Sequence, residues 1–230
     1  GSLVATVLGV VRNDGATEPL PAALSPVQFR MQRFTGWDAL PAAKIAPEQA
    51  PSCAGYRGSG RDATARVRLG WDREQLYVAV DVTDECFCQP FENRGLWEGD
   101  CIRMGIAPAR IGVAQPRHQP CQREWFGRKA MIDFALTPEG PEVLWKSKLQ
   151  AGQGDGLHVA IQRTGSTTEY RARFAWEFLQ VPAPQPGAVY FINLQLHEHD
   201  GRRFRGFITP QPSCDLDSPE QSWPLAIAAE

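Results

Sequence analysis

Proline and glycine set the narrowest limit on what this chain can fold into. With 19 prolines and 21 glycines among 230 residues, no apolar pattern of helical period survives for ten or more residues, whereas two-residue alternation recurs throughout. The class is therefore all-β. Ala65, Val67, Leu69 and Trp71 alternate with Arg66, Arg68 and Gly70, and after a turn at Asp72-Arg73-Glu74 the run Leu76 to Val82 returns, which reads as a hairpin. Cys101 to Ala107 carries Ile102, Met104 and Ile106 in phase, and Tyr170 to Trp176 carries Tyr170, Ala172, Phe174 and Trp176. Tyr190 to His197 turns Ile192, Leu194 and Leu196 inward and Asn193, Gln195 and His197 outward, then bends at Asp200-Gly201 into Phe204 to Ile208, a second hairpin.

The length suits one large β domain. Residues 1–35 read as an accessory N-terminal hairpin, or the tail of an upstream module, because Leu3 to Val11 is strand-like, Asn13-Asp14-Gly15 marks a turn, and Val27, Phe29 and Met31 alternate again. Residues 36–230 form the main unit, with 108–123 expected as an exposed loop. Gly1-Ser2 has the look of a protease scar, so the chain is expected to be a segment of a longer polypeptide.

A formal net charge of -2 with 22% charged residues gives no basic surface for nucleic acid, and no apolar run reaches the roughly 18 residues of a membrane span. GxSxG, P-loop and HExxH signatures are absent, so a catalytic role is not expected. Cys53, Cys86, Cys88, Cys101, Cys121 and Cys214 contain no CxxC pair, which argues against structural zinc and leaves either disulfides or small buried side chains. His197 and His199 share a strand face, but two histidines lack the further ligands that a metal needs.

The informative stretch is Trp97-Glu98-Gly99-Asp100. Trp97 precedes a regular strand, so its indole belongs to a strand-edge loop, a position suited to stacking on the apolar face of a sugar; the plainer alternative is a ring folded back on the core. Trp71 and Trp176 are in phase with core faces. Arg103, Asn193, Gln195 and His197 all point outward from strands that would be neighbours and would line one polar surface. Arg66, Arg68, Arg171 and Arg173 form an outward basic stripe able to take carboxylates or sulfates of an acidic glycan, unless Asp81 and Glu169 pair with them.

The hairpin Gly60 to Asp72 with Leu76-Tyr77-Val78 and Val82-Thr83-Asp84, followed by Trp97 to Asp100, Glu169 to Trp176 and Asn193 to Leu196, resembles family 9 carbohydrate-binding modules in order and spacing over about residues 35–230. The resemblance implies an antiparallel jelly-roll-like β-sandwich of the DOMON-like superfamily, usually calcium-stabilised, attached to secreted bacterial glycan-active enzymes. It implies a non-catalytic glycan-binding role, neighbouring domains in the same polypeptide, no nucleic-acid or membrane partner, and an extracellular or periplasmic location. Trp97 matches one stacking tryptophan of the family, and Gln195 a polar sugar-binding position; Arg103 and His197 complete the expected ligand contacts. Arg103 stands where the family has an acid, the family's arginine falls at Ala135, and the second tryptophan is replaced around Leu216 unless Trp223 or Trp125 takes over. Asp84, with Asp62 behind it, is the expected calcium ligand.

Two other readings follow from the same residues. DOMON-type relatives can hold haem b, and Met104 with His197 is the one obvious axial pair, although strand phase puts them on opposite faces. A structural sandwich that has lost its sugar site is the other.

Overall fold

A computed structural model describes residues 10–11, 17–18, 27–46, 63–108, 130–145, 150–151, 156–210 and 225–229. The strands are β1 (Val10–Val11), β2 (Thr17–Glu18), β3 (Val27–Arg33), β4 (Ala42–Ile45), β5 (Ala63–Trp71), β6 (Gln75–Asp84), β7 (Cys101–Pro108), β8 (Ala130–Thr137), β9 (Gly140–Trp145), β10 (Gln150–Ala151), β11 (Leu157–Thr164), β12 (Thr167–Ala175), β13 (Val189–His199), β14 (Phe204–Ile208) and β15 (Leu225–Ala228). Two 3-10 segments, Trp37–Ala39 and Asn93–Glu98, and one helical turn, α1 (Trp176–Leu179), complete the described elements. Strand β12 thus ends at Ala175, one residue earlier than the alternation suggests, because Trp176 opens α1.

Apart from the β1–β2 pair, the strands form one path, β10-β9-β8-β7-β13-β15-β3-β5-β6-β12-β11, with β14 beside β13 and β4 beside β5. The path folds over so that β11 packs beside β8 and β9, giving two layers around one core. Both expected hairpins are present, with Trp71 opposite Leu76 and His197 opposite Phe207. Ala65, Val67, Leu69, Val78, Val80, Ala172 and Phe174 of one half meet Ile102, Met104, Ile106, Leu194 and Leu196 of the other. Phe134 of β8 bridges the layers, its ring edge-on to Tyr170 at 5.9 Å. Trp71 and Trp176 lie in this core, as their phase requires.

The first 35 residues do not divide off as expected: Val27–Arg33 sits inside the main sheet, parallel to β15 on one side and to β5 on the other. These two parallel pairings also depart from a wholly antiparallel sandwich. They join strands far apart in sequence, so no turn motif announces them. Asp62, Cys53, Cys121, Cys214, Trp125, Leu216, Trp223, the Asn13-Asp14-Gly15 turn and most of the 108–123 loop lie outside the described residues. Cys86 and Cys88 are free thiols, and Cys101 is buried beside Leu96. Among the described residues no helix is long and apolar enough to cross a membrane.

Trp71 ties the parallel seam together. Its indole Nε1–H donates to the carbonyls of Met31, at 3.1 Å, and Ala229, at 3.0 Å, so one donor secures β3 and the residue following β15. Trp71→Phe keeps most of the apolar bulk and removes the donor; urea unfolding is expected to show a loss of about 1–2 kcal/mol, and an unchanged midpoint would contradict this role.

Candidate functional site

The strand faces turned away from the core carry the polar residues. Across the sheet, Gln195 of β13 lies opposite Arg103 of β7, and Arg103 opposite Asp133 of β8, in one row. The side chains of Arg103 and Asp133 form a bidentate pair, Nε to Oδ1 at 2.6 Å and Nη2 to Oδ2 at 2.8 Å. His197, two residues along from Gln195, directs Nδ1 at the carbonyl oxygen of Trp97, 2.8 Å away; a carbonyl only accepts, so Nδ1 carries the proton. The other ring nitrogen of His197 lies 3.2 Å from the Gln195 side-chain oxygen.

The expectation that this row is an open polar surface is corrected by its burial: Gln195 is 1% exposed, His197 2% and Arg103 6%. Strand phase places a side chain on a face and says nothing of what covers that face. Arg103 also differs from a cation awaiting a ligand, since Asp133, which is fully buried, already holds it.

Trp97 does remain in solvent. At 38% it is the one exposed large apolar side chain among the described residues. Its loop is held on both sides. Leu96 is buried with Cys101, Ala135 and Leu144 on the outer face of β7–β9. The buried Gln89 side chain donates to the carbonyls of Leu96, at 2.9 Å, and Asp100, at 3.0 Å, and accepts from the Phe91 amide. Gly99 makes this possible, because a Cβ there would stand 2.3 Å from the Gln89 oxygen. Asp100 then accepts backbone N–H groups from Cys88 and from His199, the latter at 2.7 Å, and so ties the loop to β13. The Trp-Glu-Gly-Asp motif thus combines an exposed ring, a gap for a buried amide and a carboxylate anchor.

Beside Trp97 runs a row of rings that the sequence pattern misses. The Trp97 indole meets Phe204 edge-on at 5.9 Å, Phe204 lies 5.7 Å from the His197 ring, and His197 stacks on Phe207 at 5.6 Å. Phe204 and Phe207 are three residues apart and in a regular strand would face opposite ways. A register shift between Glu198 and His199, with Gly206 at φ 113°, brings Phe204 opposite His199 and thus onto the face of His197. Phe207 was accessible from the hairpin register, being opposite His197; Phe204 was not, because a bulge has no alternation signal.

Asp84, the expected calcium ligand, is buried at the end of β6, where its carboxylate accepts the Cys86 N–H at 2.9 Å. Its charge reaches Asp100 and so does that of Glu198, so buried carboxylates crowd this end of the fold. Among the described residues no three His, Cys, Asp or Glu side chains group so as to hold a metal ion. His199 accepts the Gly201 N–H through Nδ1, and both ring nitrogens of His197 face protein oxygens, Nδ1 the Trp97 carbonyl and Nε2 the Gln195 side chain. Met104 is in the core whereas His197 is on the opposite face, so the two cannot grip one haem from both sides.

No family model matches this sequence, and no curated protein does. Similarity appears in three dimensions. A family 9 carbohydrate-binding module from Caldicellulosiruptor kristjanssonii, solved with cellotriose, superposes with a TM-score of 0.60 at 12% identity, over 87% of this chain and 93% of that one. The fold is that of a family 9 carbohydrate-binding module. A structure of a family 9 module from the same organism, with glucose, gives 0.58 at 13% identity over 86% and 95% of the two chains. A protein from Bacteroides uniformis ATCC 8492, proposed to bind carbohydrate, gives 0.56 at 8% identity over 88% and 99%.

Two outcomes follow. Arg103→Ala leaves the Asp133 carboxylate buried without its guanidinium and is expected to cost about 3–5 kcal/mol in chemical denaturation; a change below about 1 kcal/mol would contradict the pairing. Burial pushes the Asp100 carboxyl up to about 8, outweighing its two backbone donors, with Asp84 and Glu198 adding to the rise. Below about pH 4 both folded and unfolded chains hold this proton; between about 4 and 8 only the folded chain does, so ionisation opposes folding as the pH rises. In chelator, stability should fall across that window by at most about 1.4 kcal/mol per pH unit, and Asp100→Asn should flatten the slope.

Proposed function

We propose that this chain is a non-catalytic carbohydrate-binding module of a larger, secreted bacterial glycan-active protein, working outside the cell or in the periplasm. The exposed indole of Trp97, fixed on a loop tied to β7 and β13, carries this reading. A pyranose ring lies with its C–H face on that indole, and Phe204 and Phe207 extend the apolar strip. Gln195, Arg103 and His197 form the hydrogen-bonding floor beneath, orienting the platform from their buried positions. Because two structural neighbours were solved with cellotriose and glucose, neutral glucose-based oligosaccharides are the first ligands to test.

Calcium belongs to the same reading as a structural ion at Asp84, with Asp62 as the second candidate ligand. A calcium-dependent rise in Tm over chelator-treated protein, lost in Asp84→Asn, is the expected result; identical melting curves would remove the ion from the proposal.

The burial of Gln195, His197 and Arg103 favours one competing reading, a sandwich retained for its architecture after loss of sugar binding. Affinity electrophoresis through a soluble β-glucan separates the two. Retardation of the native chain, weakened about tenfold in Trp97→Ala, is expected; equal migration with and without glycan would favour the structural role.

A further inference from the structure

The other outer face of the sandwich carries a second arrangement of rings and cations. Residues Tyr77, Arg173 and His158 lie opposite one another on β6, β12 and β11, and their neighbours in each strand, Val78, Ala172 and Val159, belong to the core. This row therefore points away from the core on the β6–β12–β11 layer, whereas Trp97 sits over β7 and β13.

The segment after β3 folds across this face. Its first anchor is the Phe34 N–H, which donates to the Trp71 carbonyl at 2.8 Å. Phe34 then stacks flat on Tyr77 at 3.7 Å, and Trp37 meets both rings edge-on, at 5.1 and 5.8 Å. Gly70 lets the segment come down: a Cβ there would stand 2.9 Å from Leu40 and 3.3 Å from Phe34. Between this aromatic wall and β11 lies a groove of about 410 Å³, lined by Trp37, Tyr77, His158, Arg171 and Arg173. That volume is in the range of roughly 300–1,000 Å³ typical of small-molecule sites.

The charges in the groove are of two kinds. Arg171 is shared with Asp81, at 2.6 Å, and Asp81 also holds Arg68 at 2.5 Å, so part of the basic stripe is already neutralised. Burial raises the Asp81 carboxyl, but the two guanidiniums outweigh it and keep it below the usual range, as expected of a committed ion pair. Arg173 is different: it is exposed, and no carboxylate pairs with it among the described residues. Asp72 is occupied by the Tyr77 hydroxyl and by the Glu74 and Gln75 amides.

We propose that this groove is a second saccharide site, selective for a carboxylated sugar such as a hexuronate, with Trp37 as the apolar plane and Arg173 as the carboxylate partner. The Trp37 ring, which carries the Arg171 guanidinium 5.9 Å from its centroid, and the Arg173 fork line the same groove and together meet both halves of that ligand, its C–H surface and its planar anion. The site does not rest on the Trp97 reading, since the two lie on different layers.

Calorimetric titration of the whole chain with trigalacturonate, and with its methyl ester as a neutral twin, tests it. The acid is expected to bind, Arg173→Ala to weaken it by about tenfold, and rising salt to weaken it further. The ester should bind at least about tenfold more weakly than the acid. Trp97→Ala should leave the trigalacturonate affinity unchanged, and Arg173→Ala should leave any neutral-glucan binding unchanged. Arg173 is exposed, and a circular-dichroism spectrum matching the native chain confirms that the variant folds. The proposal is overturned if acid and ester bind alike, if the acid does not bind, or if its binding is lost in Trp97→Ala and kept in Arg173→Ala.

Discussion

The buried Gln89 amide is the interaction on which the Trp97 site depends. A 3-10 segment of six residues has no cooperative stability of its own, so Asn93–Glu98 holds its shape only through outside contacts. Gln89 supplies two of them by donating to Leu96 and Asp100, and the absence of a side chain at Gly99 leaves room for it. Asp100 carries the restraint onward to β13 through the His199 amide. An exposed tryptophan on a slack loop would collapse onto the nearest apolar surface; here the backbone on either side is fixed before the ring can choose.

That restraint is compatible with a floor that is polar and dry. Arg103 and Asp133 neutralise each other in burial, and His197 donates from Nδ1 to the Trp97 carbonyl with its other ring nitrogen beside the Gln195 side chain. Breaking such a buried pair is costly, whereas replacing both partners by apolar groups is often neutral. On the proposed reading this floor positions the ring platform, and its buried side chains offer little surface of their own.

Much of the fold could be read from the residues. Alternation located β5, β6, β7, β12, β13 and β14 and assigned Trp71, Trp176 and Met104 to the core, because a period of two is a local property of the chain. What alternation cannot hold is which distant strands meet. The placing of β3 between β15 and β5 leaves no mark in its own sequence, and so Val27–Arg33 read as part of an accessory hairpin. The candidate site was partly legible for the same reason. Trp97 was found from its place before a strand, and the shared face of Arg103, Gln195 and His197 from phase; their burial depends on packing above the face. Phe204 was hidden by a bulge, and Trp37 by lying in a segment with no repeat.

On the proposed reading the Trp97 ring is the surface that meets a neutral glycan. A proton–nitrogen NMR titration of the native chain with cellotriose, following the indole Nε1–H resonances assigned by single Trp→Phe variants, reads that contact at the ring itself. Saturable movement of the Trp97 indole signal is expected, with the core signals of Trp71 and Trp176 unmoved. Binding that leaves the Trp97 signal in place would contradict the claim.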